Sequence, residues 1–597
     1  MPGPSNQTGA KPKNAKLSMS RFIKSLKPFR WKIILGIVLT IASSILSIFG
    51  PKLLGNMTNS AVSSFSETGH IDWSPLIAIA IELIILYVAS GTCGYLQDII
   101  FGIITAHYTQ KLRLEILEKI NKMPIAYFDR NKHGDVLSRM SNDVDVLANS
   151  LTEELSQVIS SAITIIGILI IMFSISIPLS LIAIVAVPLS LLVVGRIMSK
   201  AQVYFAARQT TLGKLNSVIE EDYSGQIIIK SNSHEEESLK SFKKVNDELT
   251  HQTERSEFLA HLAFPLTHIF TNLSYILICT IGGISVLKGN IPIGNLQSFI
   301  QYVNNFNRPI TNLSDLTANI QLTLAAAERV FDFLNEKEEI PDKEESVVLE
   351  NVRGEVEFKN VSFSYNKDKE IIHNFSAKAK PGHQIAIVGP TGAGKTTIIN
   401  LLMRFYDPQS GEILVDGIST TNMKREDARN LFGMVLQDTW LFSGTIEENL
   451  RYGNPKATLE DIKAAAKIAN IDHFIESLPH GYHTVISEDS DNISSGEKQL
   501  LTIARAMVAN PPMMILDEAT SNVDTRTEQL IQSAFDKLTK NRTSFVIAHR
   551  LSTIRNADLI LVMKDGKITE QGDHKTLLKQ NGFYAELYNS QFSENVA

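Results

Sequence analysis

Apolar residues crowd the front half of the chain into runs of membrane-spanning length, while the rear half alternates short apolar strands with amphipathic stretches. A span needs about 20 mostly apolar residues. Residues 31–50, 74–106, 155–177, 178 to near 196, and 258–287 meet that requirement. A sixth run, 292–324, is interrupted by Gln297, Gln301, Asn304, Asn305, Asn307 and Asn312. A lipid-facing helix does not carry so many amides, so its polar side is expected to line a cavity. Glu82, inside the second run, is another candidate cavity group, and a helix-interface acid explains it equally well.

Basic residues fall on one side of these spans. Lys111, Arg113, Lys119, Lys122, Arg130, Lys132 and Arg139 follow the second run; Arg196, Lys200, Arg208, Lys214 and Lys230 follow the fourth. The other side carries little beyond Lys52 and Lys288, so it is expected to face outward, with both termini cytoplasmic. The two inner connections, 107–154 and 197–257, are long, charged and almost free of Pro and Gly. Leu112, Ile116 and Ile120 recur at helical spacing, which predicts that spans two to five continue as helices beyond the bilayer.

These patterns predict a six-helix, all-α transmembrane domain over 21–326. It follows a disordered tail over 1–20 and precedes a linker over 327–350. From 351 to 597 the order strand–turn–helix predicts a soluble α/β domain. Mean composition hides this division: 44% hydrophobic residues and a mean hydropathy of +0.03 suit many large soluble proteins. A net charge of -6 gives no reason to expect nucleic acid as a partner. Cys93 and Cys279 both sit in apolar runs and read as small buried hydrophobes rather than a disulfide or metal pair. The tail has no apolar core with a cleavage site, so a cytoplasmic segment is expected and not a signal peptide.

The rear domain carries the chemistry. Gly389, Pro390, Thr391, Gly392, Ala393, Gly394, Lys395 and Thr396 fit a phosphate-binding loop between a predicted strand at 384–389 and a helix starting near Thr397. Glycines there let backbone N–H groups curl round phosphate oxygens, and the helix N-terminus adds positive potential. Lys395 is the candidate for the β- and γ-phosphates, and Thr396 for Mg²⁺, with Thr397 next in the cradle. A chance glycine loop is the alternative. A second strand, 513–517, ends in Asp517 and Glu518. Asp517 suits a magnesium contact and Glu518 is placed to activate the attacking water. Two solvated acids at a strand end would be the bland explanation.

With these motifs in family order, the domain resembles an ATP-binding-cassette (ABC) ATPase. Tyr365 matches the aromatic that stacks on adenine. Gln437 matches the glutamine that senses Mg²⁺ and the attacking water, and His549 the histidine at the γ-phosphate. Residues 521–524 resemble the loop that crosses between paired domains. The resemblance implies ATP and Mg²⁺ as cofactors and a P-loop fold, with Glu518, His549 and Gln437 in catalysis and Thr396, Gln437 and Asp517 at the metal.

The signature sequence departs from the family. In relatives Leu-Ser-Gly-Gly-Gln from one domain covers ATP held by the other; here the residues are Ile493, Ser494, Ser495, Gly496 and Glu497. The usual upstream Gly-Glu-x-Gly is Ser487, Glu488, Asp489, Ser490, and Leu500 stands where Arg is common. Ser495 adds a Cβ where backbone approaches phosphate. Glu497 puts an acid near a polyanion; one charge pair at ~5 Å and an effective dielectric near 20 repels by roughly 3 kcal/mol. The resemblance therefore implies one subunit of a heterodimeric bacterial exporter, of a kind found in a hyperthermophilic bacterium. The partner half-transporter is expected to have a consensus signature and a faulty carboxylate or histidine. Harmless drift in a homodimer is the alternative.

Residues 123–129, with 134–143, and 221–230 resemble the coupling segments that dock on the ATPase domains of exporters. The expected activity is ATP-driven export of an amphipathic drug or lipid across the cytoplasmic membrane. A homodimeric lipid or peptide exporter and an ATP-gated channel are the competing readings. No peptidase segment is seen before the spans, which argues against coupled leader-peptide cleavage, and no added regulatory segment favours a channel.

Overall fold

The computed structural model of the 597-residue chain describes residues 14–131, 133–366, 369–436, 439–487, 493–517, 524–547 and 551–592. It divides into two compact units. One holds the residues up to Asn121 together with His133–Glu336; the other holds Lys122–Lys132 and the chain from Lys337 onward.

The first unit is helical. In chain order the front half forms α1 (Ala15–Ser25), α2 (Arg30–Thr68), α3 (Trp73–Lys122), α4 (Ile125–Arg130), α5 (His133–Ser138), α6 (Val144–Asn149), α7 (Leu155–Ile175), α8 (Ile177–Ser224), α9 (Gln226–Asn232), α10 (Glu235–Leu287) and α11 (Ile293–Leu334). Of these, α4 belongs to the second unit. Helices α3, α8 and α10 have 50, 48 and 53 residues. At 1.5 Å per residue each reaches roughly 75 Å, against a hydrocarbon core of about 30 Å. The excess is the helical continuation that the spacing of Leu112, Ile116 and Ile120 predicts, and Leu112 and Ile116 are buried. The third span's inner extension is less regular: π-helical turns at Arg139–Asp143 and Ser150–Glu154 interrupt it.

Four described stretches are long and apolar enough to cross a membrane: Lys27–Thr68, Trp73–Lys122, His133–Ile175 and His268–Leu287. The fourth run appears as the shorter apolar stretch Ile177–Ala186 within α8, and the amide-rich sixth run lies within α11.

Helices α2 and α11 cross very closely. A Cβ on Gly55 would lie 2.3 Å from Gly294 O, and one on Gly294 would lie 1.9 Å from Gly55 O, so neither position admits a side chain. Beside this crossing, Pro51 interrupts the hydrogen-bond ladder of α2. Ser298 Oγ donates to Pro51 O at 2.7 Å and Tyr302 OH donates to Ile48 O at 2.8 Å, giving carbonyls around the proline donors from α11. Ile48, Ile168, Met172, Leu179, Ile278, Phe299 and Tyr302 pack the core around them.

Gln297 and Asn295 of the sixth run take part in this packing. Thr58 donates to Gln297, and Asn59 bonds both Asn295 and the Gly294 N–H. Asn304 and Asn305 are exposed, Gln301 and Asn312 are half-buried, and the side chain of Asn307 lies outside the described residues. Glu82 is on the exposed face of α3 beside Ile81, Ile84 and Ile85.

Helix α11 runs to Leu334, past the expected domain end at 326, because Ala326, Ala327, Val330 and Phe333 are buried. Arg329 makes a bidentate ion pair there with buried Asp143, at 2.8 and 2.5 Å. A carboxylate so buried needs its cation.

The second unit carries two sheets and a helical lobe. Its strands are β1 (Val356–Phe363), β2 (Ile372–Ala379), β3 (Gln384–Val388), β4 (Ser410–Val415), β5 (Ile418–Ser419), β6 (Phe432–Val435), β7 (Gly444–Thr445), β8 (Val485–Ile486), β9 (Met513–Asp517), β10 (Thr543–Ile547), β11 (Leu559–Lys564) and β12 (Lys567–Gly572). The main sheet has the order β12-β11-β3-β10-β9-β6, parallel except at β12, and an antiparallel sheet has the order β2-β1-β4-β5. The helices are α12 (Lys395–Leu402), α13 (Arg425–Asn430), α14 (Ile446–Arg451), α15 (Leu459–Ile468), α16 (Asp472–Ser477), α17 (Ser495–Ala509), α18 (Thr525–Thr539), α19 (Leu551–Asn556), α20 (His574–Gln580) and α21 (Phe583–Phe592). One core joins the two sheets through Phe358, Phe375, Ile387, Ile398 and Phe545; a second packs the lobe of α14 to α18 through Ile446, Ile462, Ile475, Leu501 and Ile531. This is the α/β domain that the rear pattern predicts.

Replacing Arg329 by Met should leave Asp143 buried and unpaired. The purified variant is expected to lose about 3 kcal/mol of stability in the helical unit, read as a lowered unfolding midpoint in detergent, with Asp143→Asn restoring part of it.

Candidate nucleotide-binding site

The site begins with strand register. In the main sheet Ile387 of β3 pairs with Ile547 of β10, and Ile547 pairs with Asp517 of β9. These strands are parallel, so their carboxyl ends share one edge, and β6 ends at Val435 on that same edge. Ligands of such sheets bind outside the carboxyl ends. The phosphate loop leaves from Val388, and Asp517 closes β9 two strands away.

The loop turns through Gly392 and Gly394, both at positive φ, and Gly394 caps α12. At φ +99° an L side chain is strained, and a Cβ on Gly394 would also meet Ile372 Cδ1 at 2.7 Å. Ala393 is buried and its N–H donates to Pro390 O, while Thr391 and Thr396 face solvent. Lys395 Nζ folds over the loop, donating to Gly389 O at 2.6 Å and Pro390 O at 3.1 Å. Burial pushes the Lys395 ammonium below its ordinary pKa, and the negative charge of Asp517 pulls it back up. The two groups sense each other across the edge, an arrangement suited to a magnesium–polyphosphate held between lysine and carboxylate.

Tyr365 stands beside this loop. Its hydroxyl donates to Thr397 Oγ1 at 3.3 Å and accepts from Asn400 Nδ2 at 3.2 Å, fixing the ring against the first turns of α12. Thr397 is thus buried and engaged with Tyr365, while Thr396 stays open.

On the far side of Tyr365 lies α4, part of the first coupling segment that the sequence picks out. Arg130 donates to Tyr365 O at 2.7 Å, and Tyr406 donates to Asp129. Tyr406 meets Tyr365 edge-on, with ring centroids 5.0 Å apart. Burial, reinforced by Asp129, raises the pKa of Tyr406, which keeps it a donor. One continuous path therefore runs from α12 through two tyrosines to α4. The second segment that the sequence picks out, 221–230, holds the end of α8 and the start of α9, which Gly225 caps; Tyr223 of α8 and Ile227 of α9 stand 85% and 84% exposed.

The signature residues open α17. Ser494 is the N-cap: its Oγ accepts from Glu497 N at 3.3 Å, while Glu497 Oε2 accepts from Ser494 N and Ser494 Oγ, both at 2.8 Å. The carboxylate folds back onto the start of its own helix in a capping box. Ser495 is exposed and Gly496 is buried. Leu500 is buried in the lobe's core, where a charged side chain would be costly. Further along α17, Arg505 reaches Asn449 O, Asn449 Oδ1 and Trp440 O, and lies over the stacked rings of Phe442 and Tyr452.

Glu518, His549 and Gln437 lie outside the described residues, as do 488–490 and 521–523. The strands that lead to the first three end on the phosphate-loop edge. Asp524 is described and caps α18 through the N–H groups of Arg526 and Thr527. The sequence reading missed Asn400, Tyr406, Arg130 and Arg505. Asn400 follows Thr397 by one helical turn and was open to recognition by that spacing; Tyr406 lies far from its partners in sequence and carries no such mark.

A family model described as ABC transporter transmembrane region matches residues 33–310, and one described as ABC transporter matches residues 372–521. A Mycobacterium bovis protein named "Fatty acid ABC transporter ATP-binding/permease protein" is 41% identical, covering 96% of each chain. The chain belongs to the ABC transporter family. It is an exporter half-transporter, with transmembrane and ATPase domains fused in one multi-pass chain. A Syntrophus aciditrophicus "ATP-dependent lipid A-core flippase" is 34% identical over 88% of this chain and 86% of its own. A Bacillus subtilis protein whose name proposes multidrug export is 33% identical over 96% and 99%. As an ABC exporter the chain is an ATP hydrolase coupled to transport, and its ATPase domain binds nucleotide.

Gly394→Ala should weaken ATP binding about tenfold through backbone strain of 1–2 kcal/mol. Equilibrium binding of a fluorescent ATP analogue measures this, and a Thr391→Ala control in the same loop, at ordinary φ, is expected to bind near the wild-type level.

Proposed function

We propose that the chain is one half of a heterodimeric exporter of the cytoplasmic membrane, moving amphipathic lipids or drugs outward. Its own phosphate loop, with Asp517, Glu518, His549 and Gln437, forms the competent ATP site. Its signature covers a degenerate site on a partner whose signature is consensus and whose carboxylate or histidine is faulty. Mg²⁺ is held by Thr396 and Asp517, with Gln437 reaching it. Tyr365 stacks on adenine, and the loop from Gly389 to Lys395 cradles the phosphates. Glu518 takes the proton from the attacking water.

The observation that carries this reading is Glu497. Its carboxylate is bonded to the Ser494 N–H and hydroxyl at the N-terminal end of α17, and so holds a negative charge where a γ-phosphate from a second chain would approach. At the other site, Lys395, Asp517 and the glycine turn keep the geometry of a working loop. The exposed apolar residues at the end of α8 and the start of α9 support a second chain, since Tyr223, Ile227 and Ile228 would be covered by a partner's ATPase domain. The lipid- and drug-related names of the relatives support an amphipathic cargo, as do the mixed polar and apolar positions of α11. The basic inner loops support cytoplasmic termini.

ATP then joins two ATPase domains by contacting both. Closure moves α4 and α9, and with them the long helices. Hydrolysis at the Glu518 site lets the domains part.

Two variants separate the readings when assayed with a co-expressed half-transporter that carries a consensus signature. Glu518→Gln should reduce hydrolysis by about 100-fold or more with ATP affinity within a few fold of wild type. Glu497→Gln with Ser495→Gly should raise turnover by opening the second site. Two equal, fast sites in a homodimer of this chain alone would defeat the heterodimer assignment while leaving ATP-driven export intact.

A further inference from the structure

From Asn14 to Ser66 the chain contains no aspartate or glutamate, yet Lys16, Arg21, Lys24, Lys27, Arg30 and Lys32 crowd its first part. Helix α1 carries the first three of these. It is pinned to its own bundle along one side: Phe22 meets Tyr108 edge-on at 6.2 Å and Ser25 Oγ hydrogen-bonds Tyr108 OH at 2.7 Å. Phe29, in the turn that follows, packs on the same tyrosine at 6.3 Å. Arg21 pairs with Asp332 of α11 at 2.7 Å. The remaining surface is of another kind. Met19 and Ile23 are exposed on α1, Ile23 by 61%, and Trp31 at the start of α2 is 72% exposed with the Arg30 guanidinium over its ring at 5.6 Å. Among the described residues Lys16, Lys24, Lys27 and Lys32 have no carboxylate partner, and all four are exposed.

We propose that α1, the turn after it and the first residues of α2 form a binding surface for the headgroups of anionic phospholipids. Met19, Ile23 and Trp31 enter the interfacial region, and Lys24, Lys27, Arg30 and Lys32 hold phosphates. Apolar side chains flanked by unpaired cations are the pattern of a helix lying in the bilayer surface. Tryptophan and long basic side chains place their polar tips at headgroup level. The missing acids make the surface selective for negative charge, because no carboxylate within this segment repels a phosphate. A protein or nucleic-acid partner fits less well, since the segment lies within a few residues of the first span. Through Arg21–Asp332 and Tyr108, a lipid held here also bears on α3 and α11.

The surface rests on the bilayer-spanning reading but not on nucleotide chemistry or on which leaflet it faces. The full chain with Trp73→Phe and Trp440→Phe leaves Trp31 as the sole tryptophan. It is reconstituted into phosphatidylcholine vesicles that carry, in both leaflets and at equal mole fraction, either bromine-labelled phosphatidylglycerol or bromine-labelled phosphatidylcholine. Trp31 should be quenched about twofold or more strongly by the anionic lipid. That excess should vanish near 1 M salt, where the screening length falls to about 3 Å. It should also vanish in the Lys24→Gln, Lys27→Gln, Arg30→Gln, Lys32→Gln variant. Equal quenching by both lipids overturns the headgroup selectivity. No quenching by either overturns the placement of Trp31 in the bilayer surface as well. Should the four-fold variant fail to insert, the salt dependence of the parent decides alone.

Discussion

Parallel pairing of β3, β10 and β9 is the constraint on which the rest of the molecule depends. It brings Val388, Ile547 and Asp517 to one edge, so a glycine turn and a carboxylate more than a hundred residues apart in sequence lie on the same side of the sheet. Lys395 is held between them, partly desolvated and partly sustained by Asp517. A slip of one residue in any of these pairings would turn Asp517 away from the loop. The buried residues of β9 and β10, from Met513 to Leu516 and from Thr543 to Ile547, resist such a slip because every position is packed on both faces.

From that edge the geometry leads to α4 by short steps. Tyr365 is fixed by Thr397 and Asn400 on one side and by Arg130 on the other, while Tyr406 ties Asp129 to the same aromatic cluster. Aromatic rings in edge contact within a packed cluster move together or not at all. Tyr365, beside the phosphate loop, is therefore also in contact with α4. Inside the helical lobe, Arg505 of α17 ties that helix to the backbone of Trp440 and of Asn449 in α14.

Much of this was legible in the sequence, and for physical reasons. The spans follow from runs of apolar residues, the long inner helices from the spacing of Leu112 and Ile116, and the loop from glycines that alone tolerate φ near +90°. Partnerships across long separations were not legible. Nothing in the local pattern joins Asp143 to Arg329 or Asp129 to Tyr406, because each pair is brought together by packing that has no sequence period. The partners of amides in the sixth run were hidden for a related cause. Polarity in a membrane helix predicts a polar neighbour but not which one, and for Gln297 and Asn295 the neighbours are Thr58 and Asn59.

The turn at Ser494 has a consequence for how such proteins diverge. A capping box accepts either glutamate or its amide at the third helical position, since both offer an oxygen to the Ser494 N–H. Exchanging one for the other leaves the start of α17 equally well closed, so folding imposes no selection between them. The charge carried at the start of α17 is thereby free to vary without loss of the scaffold, and exchanging one carboxylate oxygen for an amide NH2 is enough to change it.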